Sequence, residues 1–200
     1  DDSCEGVDAI YLPEIVFDVE KFIARVKELA IVKSSIVIAV SEGIARSDGR
    51  FVFELSDDNR SVDAFGHKQL SGCAKALADI VTNETGLKTR AIEFSTLQRA
   101  ASHISSLTDI NEAQMVGERA VDAAFDGNTG TMVIIKREAG SDYKCGTDIY
   151  DIHNIANVEK KVPLEWIDVE NNMMKPEYLQ YAKPLIMGEL NPVYKDGLPV

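Results

Sequence analysis

No stretch of eighteen apolar residues occurs in the 200-residue chain, whose longest greasy run is Ile36–Val40. That length excludes a membrane-spanning helix, and a soluble protein is expected. Cysteine is sparse: Cys4, Cys73 and Cys145 form no CxxC pair and are odd in number, which argues for reduced thiols against a zinc cage or a disulfide framework. His67, His103 and His153 stand far apart, so no metal site built by this chain alone is expected. GxSxG, Walker-type and GxGxxG motifs are all absent, which leaves nucleophile-elbow hydrolases and P-loop enzymes without support. Positive charge is also short. A net charge of −12 repels a nucleic-acid backbone, although a small anion remains a compatible ligand because charges beyond about 10 Å are screened. The terminus Asp1-Asp2-Ser3-Cys4-Glu5 has no initiator Met and no basic flank before an apolar run. It does not read as a targeting address, and the chain is expected to be part of a longer polypeptide in the cytoplasm.

What is present is an α/β pattern. With 45% apolar residues, the chain has enough hydrophobic material for a core. Val7–Leu12 and Ser34–Val40 are short Val/Ile-rich runs flanking Asp18–Lys33, which carries Phe22, Val26 and Leu29 at helical spacing. The runs do not alternate with polar residues, so they predict strands of a parallel sheet within a βαβ unit. A helix is predicted over Gln69–Glu84, closed by Gly86, and a third strand over Thr89–Ser95. Another helix is predicted over Asp109–Phe125, begun at Thr108 or Asp109 and ended near Gly127, followed by a fourth strand at Thr131–Lys136. The polar stretch Gly49–Asp63 reads as a hairpin or an inserted loop. Beyond Asp151 short helices are predicted at Ile152–Glu159 and Lys175–Gly188, then a polar tail. The expected organisation is a parallel-sheet, Rossmann-like α/β sandwich over residues 1–150 with a helical C-terminal extension over residues 151–200.

Candidate ligand contacts cluster at the predicted strand ends, where open α/β sheets place their ligands. Glu42 follows the second strand in Ser41-Glu42-Gly43. It could accept hydrogen bonds from sugar hydroxyls, or equally begin a helix as a dipole partner. Arg90 and Arg99 stand nine positions apart. Were that stretch one strand, it would span roughly 30 Å, so a single ligand touched by both would need two subunits. Taken singly, each Arg is more simply a solvated strand-end residue. His67 could serve as a general base or phosphate donor, or merely pack near a helix start. Trp166, Tyr178 and Tyr181 read as packing rather than as a stacking surface.

Read together, these segments resemble the phosphofructokinase family over nearly the whole chain. The carriers are Gly6-Val7-Asp8-Ala9-Ile10-Tyr11-Leu12-Pro13-Glu14, the IVIAVSEGI run from Ile36 to Ile44, and Lys88-Thr89-Arg90 followed by Leu97-Gln98-Arg99. DAFGHKQLSG (Asp63–Gly72), IANVEKKVPLEW (Ile155–Trp166) and YAKPLIMGE (Tyr181–Glu189) are similar to the longer, pyrophosphate-using forms. Two departures stand out: Thr96 replaces the His or Tyr that many relatives carry three places before the second Arg, and Ala100-Ala101 replaces a Gly-Gly pair. Thr keeps a hydroxyl for phosphate but carries no positive charge.

The resemblance implies the carboxy-terminal half of an enzyme that moves a phosphoryl group from pyrophosphate to the 1-hydroxyl of fructose 6-phosphate, with Mg²⁺. ATP as donor, or a non-catalytic sugar-phosphate-binding subunit, is the alternative. It further implies that Glu42 orients the sugar, that Arg99 with Thr96 and Gln98 holds the 6-phosphate, and that Arg90 serves a neighbouring subunit of a homo-oligomer with shared active sites. The family's Gly-Gly-Asp donor loop and Thr-x-Asp-x-Asp catalytic loop are not found in this chain, so it supplies no catalytic residue or metal ligand and is expected to be inactive alone.

Overall fold

A computed structural model describes residues 6–55, 72–101, 104–140, 142–191 and 193–199. Two compact units form, one from Asp1–Phe94 with Val162–Lys175, the other from Ser95–Lys161 with Pro176–Val200.

The first unit opens with the βαβ arrangement that the apolar pattern predicts. Strand β1 (Ala9–Tyr11) pairs in parallel with β2 (Ile38–Val40), and helix α1 (Val19–Val32) makes the crossover. The Asp18 carboxylate caps α1 by accepting from the Glu20 and Lys21 amides at 3.0 and 3.1 Å. Phe22, Ile23, Val26 and Leu29 form its buried face, each worth about 1.5–3 kcal/mol in apolar burial. Asp8 fastens the start of β1 to the far end of the crossover, accepting from the Lys33 ammonium and from the Val37 amide at 2.8 Å.

Helix α2 (Cys73–Thr85) contributes Cys73, Leu77 and Val81 to the same core, where they join Phe17, Phe22, Ile44, Val52 and Phe53. Gly86 ends α2 in the left-handed conformation (φ 71°), its N–H bonded to the Thr82 carbonyl, as its place in the sequence predicts. The described part of Gly49–Asp63 is a small return: Ala45 bridges Phe51, and Val52–Leu55 is a 3-10 turn. A short hairpin pairing Ile167–Asp168 with Met173–Met174 adds to the β1 edge through the Ile10 N–H and the Asn172 carbonyl, 2.7 Å apart.

The second unit contains α3 (Ser95–Ala100), α4 (Leu107–Phe125), the antiparallel pair β3 (Thr131–Arg137) and β4 (Cys145–Asp151), and α5 (Pro176–Ala182). Helix α4 starts slightly earlier than predicted because Ser106 is the cap, its hydroxyl accepting from the Asp109 amide at 3.0 Å. Gly127 (φ 80°) follows its end.

Several strand readings need correction. Among the described residues the parallel sheet has two strands, β1 and β2. The predicted strand Thr89–Ser95 does not form; residues 87–94 carry neither helix nor strand, and Ser95, at φ 42°, opens α3 instead. The predicted fourth strand exists as β3, but it pairs antiparallel with the polar β4, which has no apolar run to announce it. Strands also continue past Asp151. Besides the hairpin of the first unit, the expected polar tail folds back as Tyr194–Lys195 against Leu198–Pro199. Its Asp196-Gly197 turn has both φ angles positive, as tight hairpins require. The predicted helix Ile152–Glu159 shrinks to a 3-10 turn at Ile152–Asn154, and Lys175–Gly188 divides into α5 and a 3-10 turn at Lys183–Ile186.

Candidate functional site

Glu42 is held by a turn, not by a helix N-terminus. After β2, the Ser41 N–H donates to the Tyr11 carbonyl at 3.0 Å, and Ile44, fully buried, anchors the turn's other end. The Gly43 N–H donates to Ser41 Oγ at 3.3 Å, and a Cβ on Gly43 would stand 3.4 Å from the Pro13 ring. With both ends fixed, Glu42 projects into solvent at the C-terminal end of a parallel strand, where a carboxylate can accept from hydroxyl groups.

Beneath this corner lies Cys73, 2% exposed. Burial above all, then the negative charges of Glu93 and Glu42, pushes its thiol up to about 11. At neutral pH it stays a thiol, so it offers no nucleophile.

Arg90 also belongs to the first unit, exposed in the irregular stretch before Ser95. Thr96, Gln98 and Arg99 lie in the second, all exposed on α3. Thr96 and Arg99, three positions apart, share a face of that helix, whereas Gln98 leaves it about 200° around from Thr96. Neither Arg90 nor Arg99 makes a hydrogen bond or ion pair with any described residue. The structure thus brings Thr96 and Arg99 together and leaves Gln98 on another side. From Ser95 the chain advances about 1.5 Å per residue as helix rather than about 3.3 Å as strand. The single-strand argument for a second subunit therefore does not hold.

His67, His103 and Cys4 fall outside the described residues, as does residue range 63–71 of the DAFGHKQLSG segment. His153 pairs its Nδ1 with Asp151 Oδ1 at 2.8 Å on the surface. A cavity of about 530 Å³ in the first unit opens among Tyr11, Phe17, Lys21, Arg25 and Ile167, and neither Glu42 nor Arg90 lines it. Among the described residues no cluster of three or more His, Cys, Asp or Glu could hold a metal ion. Nor is any described helix long and apolar enough to cross a membrane.

Sequence reasoning missed a polar network in the second unit. Glu112 of α4 is buried and accepts from the Tyr143 hydroxyl at 2.5 Å and from the Cys145 thiol at 3.2 Å. Desolvation, then the hydrogen bond to Glu112, raises both groups. The Tyr143 ring also carries the Arg137 guanidinium, 4.7 Å from its centre, and the Tyr181 ring receives it at 5.2 Å. Arg137 donates to the Tyr181 carbonyl at 2.9 Å, tying β3 to α5. Tyr181 therefore packs, as its sequence reading proposes, with a cation as its partner. The Arg137–Tyr181 contact joins residues 44 positions apart, and no local pattern announces it.

The family model described as phosphofructokinase matches residues 3–124. A pyrophosphate–fructose 6-phosphate 1-phosphotransferase of Methylococcus capsulatus is 40% identical over 190 residues, which is 95% of this chain and 44% of that protein. One of the same name from Halomonas elongata is 37% identical over the same shares. Among solved structures, a pyrophosphate-dependent phosphofructokinase from Nitrosospira multiformis matches with a TM-score of 0.75 at 33% identity, covering 96% of this chain and 43% of that one. Its counterpart from Marinobacter aquaeolei also gives 0.75, at 32% identity over 98% and 44%. The chain spans less than half the length of the curated relatives it matches.

Proposed function

This chain belongs to the phosphofructokinase family, and from that premise we propose that it is the sugar-phosphate-gripping part of a pyrophosphate-dependent fructose 6-phosphate 1-phosphotransferase. The observation that carries the reading is the exposed face of α3, where Arg99 stands beside Thr96 with no described residue neutralising it. A guanidinium that no described residue pairs suits a phosphate, which it can meet with two parallel N–H donors. Arg99 holds the 6-phosphate, Thr96 adds a hydroxyl, and Gln98 is the weaker member of the set because it leaves the helix on another side. Glu42, on its fixed turn, accepts from the sugar hydroxyls. Arg90 serves the site of a neighbouring subunit in a homo-oligomer, a role supported by the family resemblance and not by strand geometry.

In the reaction, the 1-hydroxyl oxygen bonds to a phosphorus of pyrophosphate as the bridging P–O bond breaks, and the hydroxyl proton ends on the departing orthophosphate, giving fructose 1,6-bisphosphate. Mg²⁺ would neutralise the phosphate oxygens. By the family resemblance, its ligands would belong to the donor-binding part of a longer polypeptide. This chain's share is therefore binding and orientation of the acceptor, and alone it is silent. The whole enzyme is cytoplasmic.

The test supplies an intact polypeptide carrying this chain with fructose 6-phosphate, Mg²⁺ and either pyrophosphate or ATP, and measures bisphosphate formation. Pyrophosphate should support turnover and ATP should not. Turnover with ATP alone would reassign the donor, and sugar-phosphate binding without turnover from either donor would make the protein a sensor. Activity of the 200-residue chain by itself would overturn its silence.

A further inference from the structure

The segment YAKPLIMGE is a sequence motif that sugar-phosphate binding does not absorb, and the structure places its end against the start of α4. Ser106 Oγ donates to the Leu185 carbonyl at 2.6 Å while capping the Asp109 amide. The Leu107 N–H donates to the Gly188 carbonyl at 3.0 Å, and the Thr108 N–H to the Met187 carbonyl at 3.2 Å. Thr108 Oγ1 reaches the same Met187 carbonyl at 3.1 Å, and Ser106 bridges Glu189. The first two amides of α4, ordinarily without helical partners, are thus satisfied by the segment Met187–Gly188. Ser106, 8% exposed, is buried by this arrangement.

Gly188 makes so close an approach possible. Its φ is +83°, and a Cβ there would lie 2.6 Å from Leu107 Cβ, a separation that forces the backbone to shift.

We infer that Leu185–Gly188 is a positioning clasp for the sugar-phosphate grip. It pins Ser106, seven positions along the chain from Arg99, and between the two the Ile104 N–H donates to the Ala101 carbonyl at 3.0 Å. Because the first two α4 amides are already committed to protein carbonyls and the third to the Ser106 hydroxyl, the phosphate charge falls on side chains of α3. Their aim then depends on how firmly Ser106 is held. Gly188 and Thr108 are positioning residues, not ligand contacts. The inference rests on the proposed role of Arg99.

Gly188→Ala in the intact polypeptide is the direct test. KM for fructose 6-phosphate should rise about tenfold, the scale on which small misplacements act, while KM for pyrophosphate and kcat hold steady. Adding Leu107→Gly, which removes the obstructing atoms, should restore much of the loss. If Gly188→Ala fails to fold, Thr108→Val removes only the hydroxyl contact, and a selective rise of about twofold to threefold in the sugar-phosphate KM is the expected result. A fall in melting temperature with an unchanged KM would mean that the segment is merely structural. Equal rises in both KM values would also overturn the clasp. Arg99→Ala separates the two readings. If that variant weakens sugar-phosphate binding and neither clasp variant does, the clasp alone fails; if Arg99→Ala has no effect, both fail.

Discussion

Replacing Arg99 by Ala in the intact polypeptide should weaken fructose 6-phosphate binding without disturbing the fold. Arg99 is exposed in the last turn of α3 and joins no described residue by hydrogen bond or ion pair. Its removal should change stability by no more than about 0.5 kcal/mol, the usual range for surface positions. A charge-assisted phosphate contact contributes about 1.5–3 kcal/mol. At about 1.4 kcal/mol per factor of ten, KM should rise about 10-fold to 150-fold. Arg99→Lys should fall between, since an ammonium keeps the charge and loses the planar fork. Initial rates against fructose 6-phosphate, at saturating pyrophosphate and fixed ionic strength, give both constants; an unchanged kcat would identify the lost contact as equal in ground and transition states. A KM within twofold of the parent would refute the assignment. So would a large KM change accompanied by a loss of several degrees in Tm, because the side chain would then be supporting the fold.

Two further outcomes follow from the same coordinates. If Arg90 serves a neighbouring subunit, Arg90→Ala and Arg99→Ala variants refolded together should recover activity in hybrid sites that carry both arginines, and mixtures no more active than their components would remove the shared site. Asp8 is held below its ordinary 3.8, first by the hydrogen bond from Lys33 and then by the Val37 amide; a lowered folded pKa stabilises above the unfolded value and is lost as pH falls through the folded one. Because the half-exposed Lys33 is screened by solvent, Asp8→Asn should therefore cost only about 1 kcal/mol in urea unfolding at pH 7 and progressively less below about pH 3.8, and an equal cost at both ends would show that the ion pair is not the source.

The legible parts of the fold are those whose cause is local. Asp18 capping α1, the Phe22, Val26 and Leu29 stripe, and Gly86 closing α2 each act within a few residues of the feature they specify. The misread parts are those decided by distant partners. Ser106 outcompetes Thr108 as the α4 cap because Leu185, 79 positions away, accepts its hydroxyl. The β3 run looks alike whether its neighbour is parallel or antiparallel, and β4, with the sequence CGTDIYD, gives no apolar signal. Arg90 through Phe94 has the composition of a strand but no partner among the described residues. Some misses were avoidable. Asn171-Asn172 between Ile167 and Met173 and Asp196-Gly197 near the end are turn signals, and the structure places hairpins at both. For the site, residue type singled out Glu42 and Arg99 as candidates, while the helical setting of Arg99 was not legible.

The interrupted path of the first unit constrains how a ribosome can deliver it. Glu14 binds the amide of Val162, 148 positions later, and Ile10 waits for the carbonyl of Asn172. At about 5–20 residues per second, roughly 7–30 s separate the synthesis of Glu14 from that of its partner. Throughout that interval the β1 edge is exposed while the whole of the second unit's α3, α4, β3 and β4 emerges. A nascent chain of this kind can form the α1 and α2 core early, but it completes its edge only after residues 162–172 have been made. Fusions or truncations that remove residues 162–175 should therefore leave an open β-edge, and with it a route to aggregation rather than a smaller working protein.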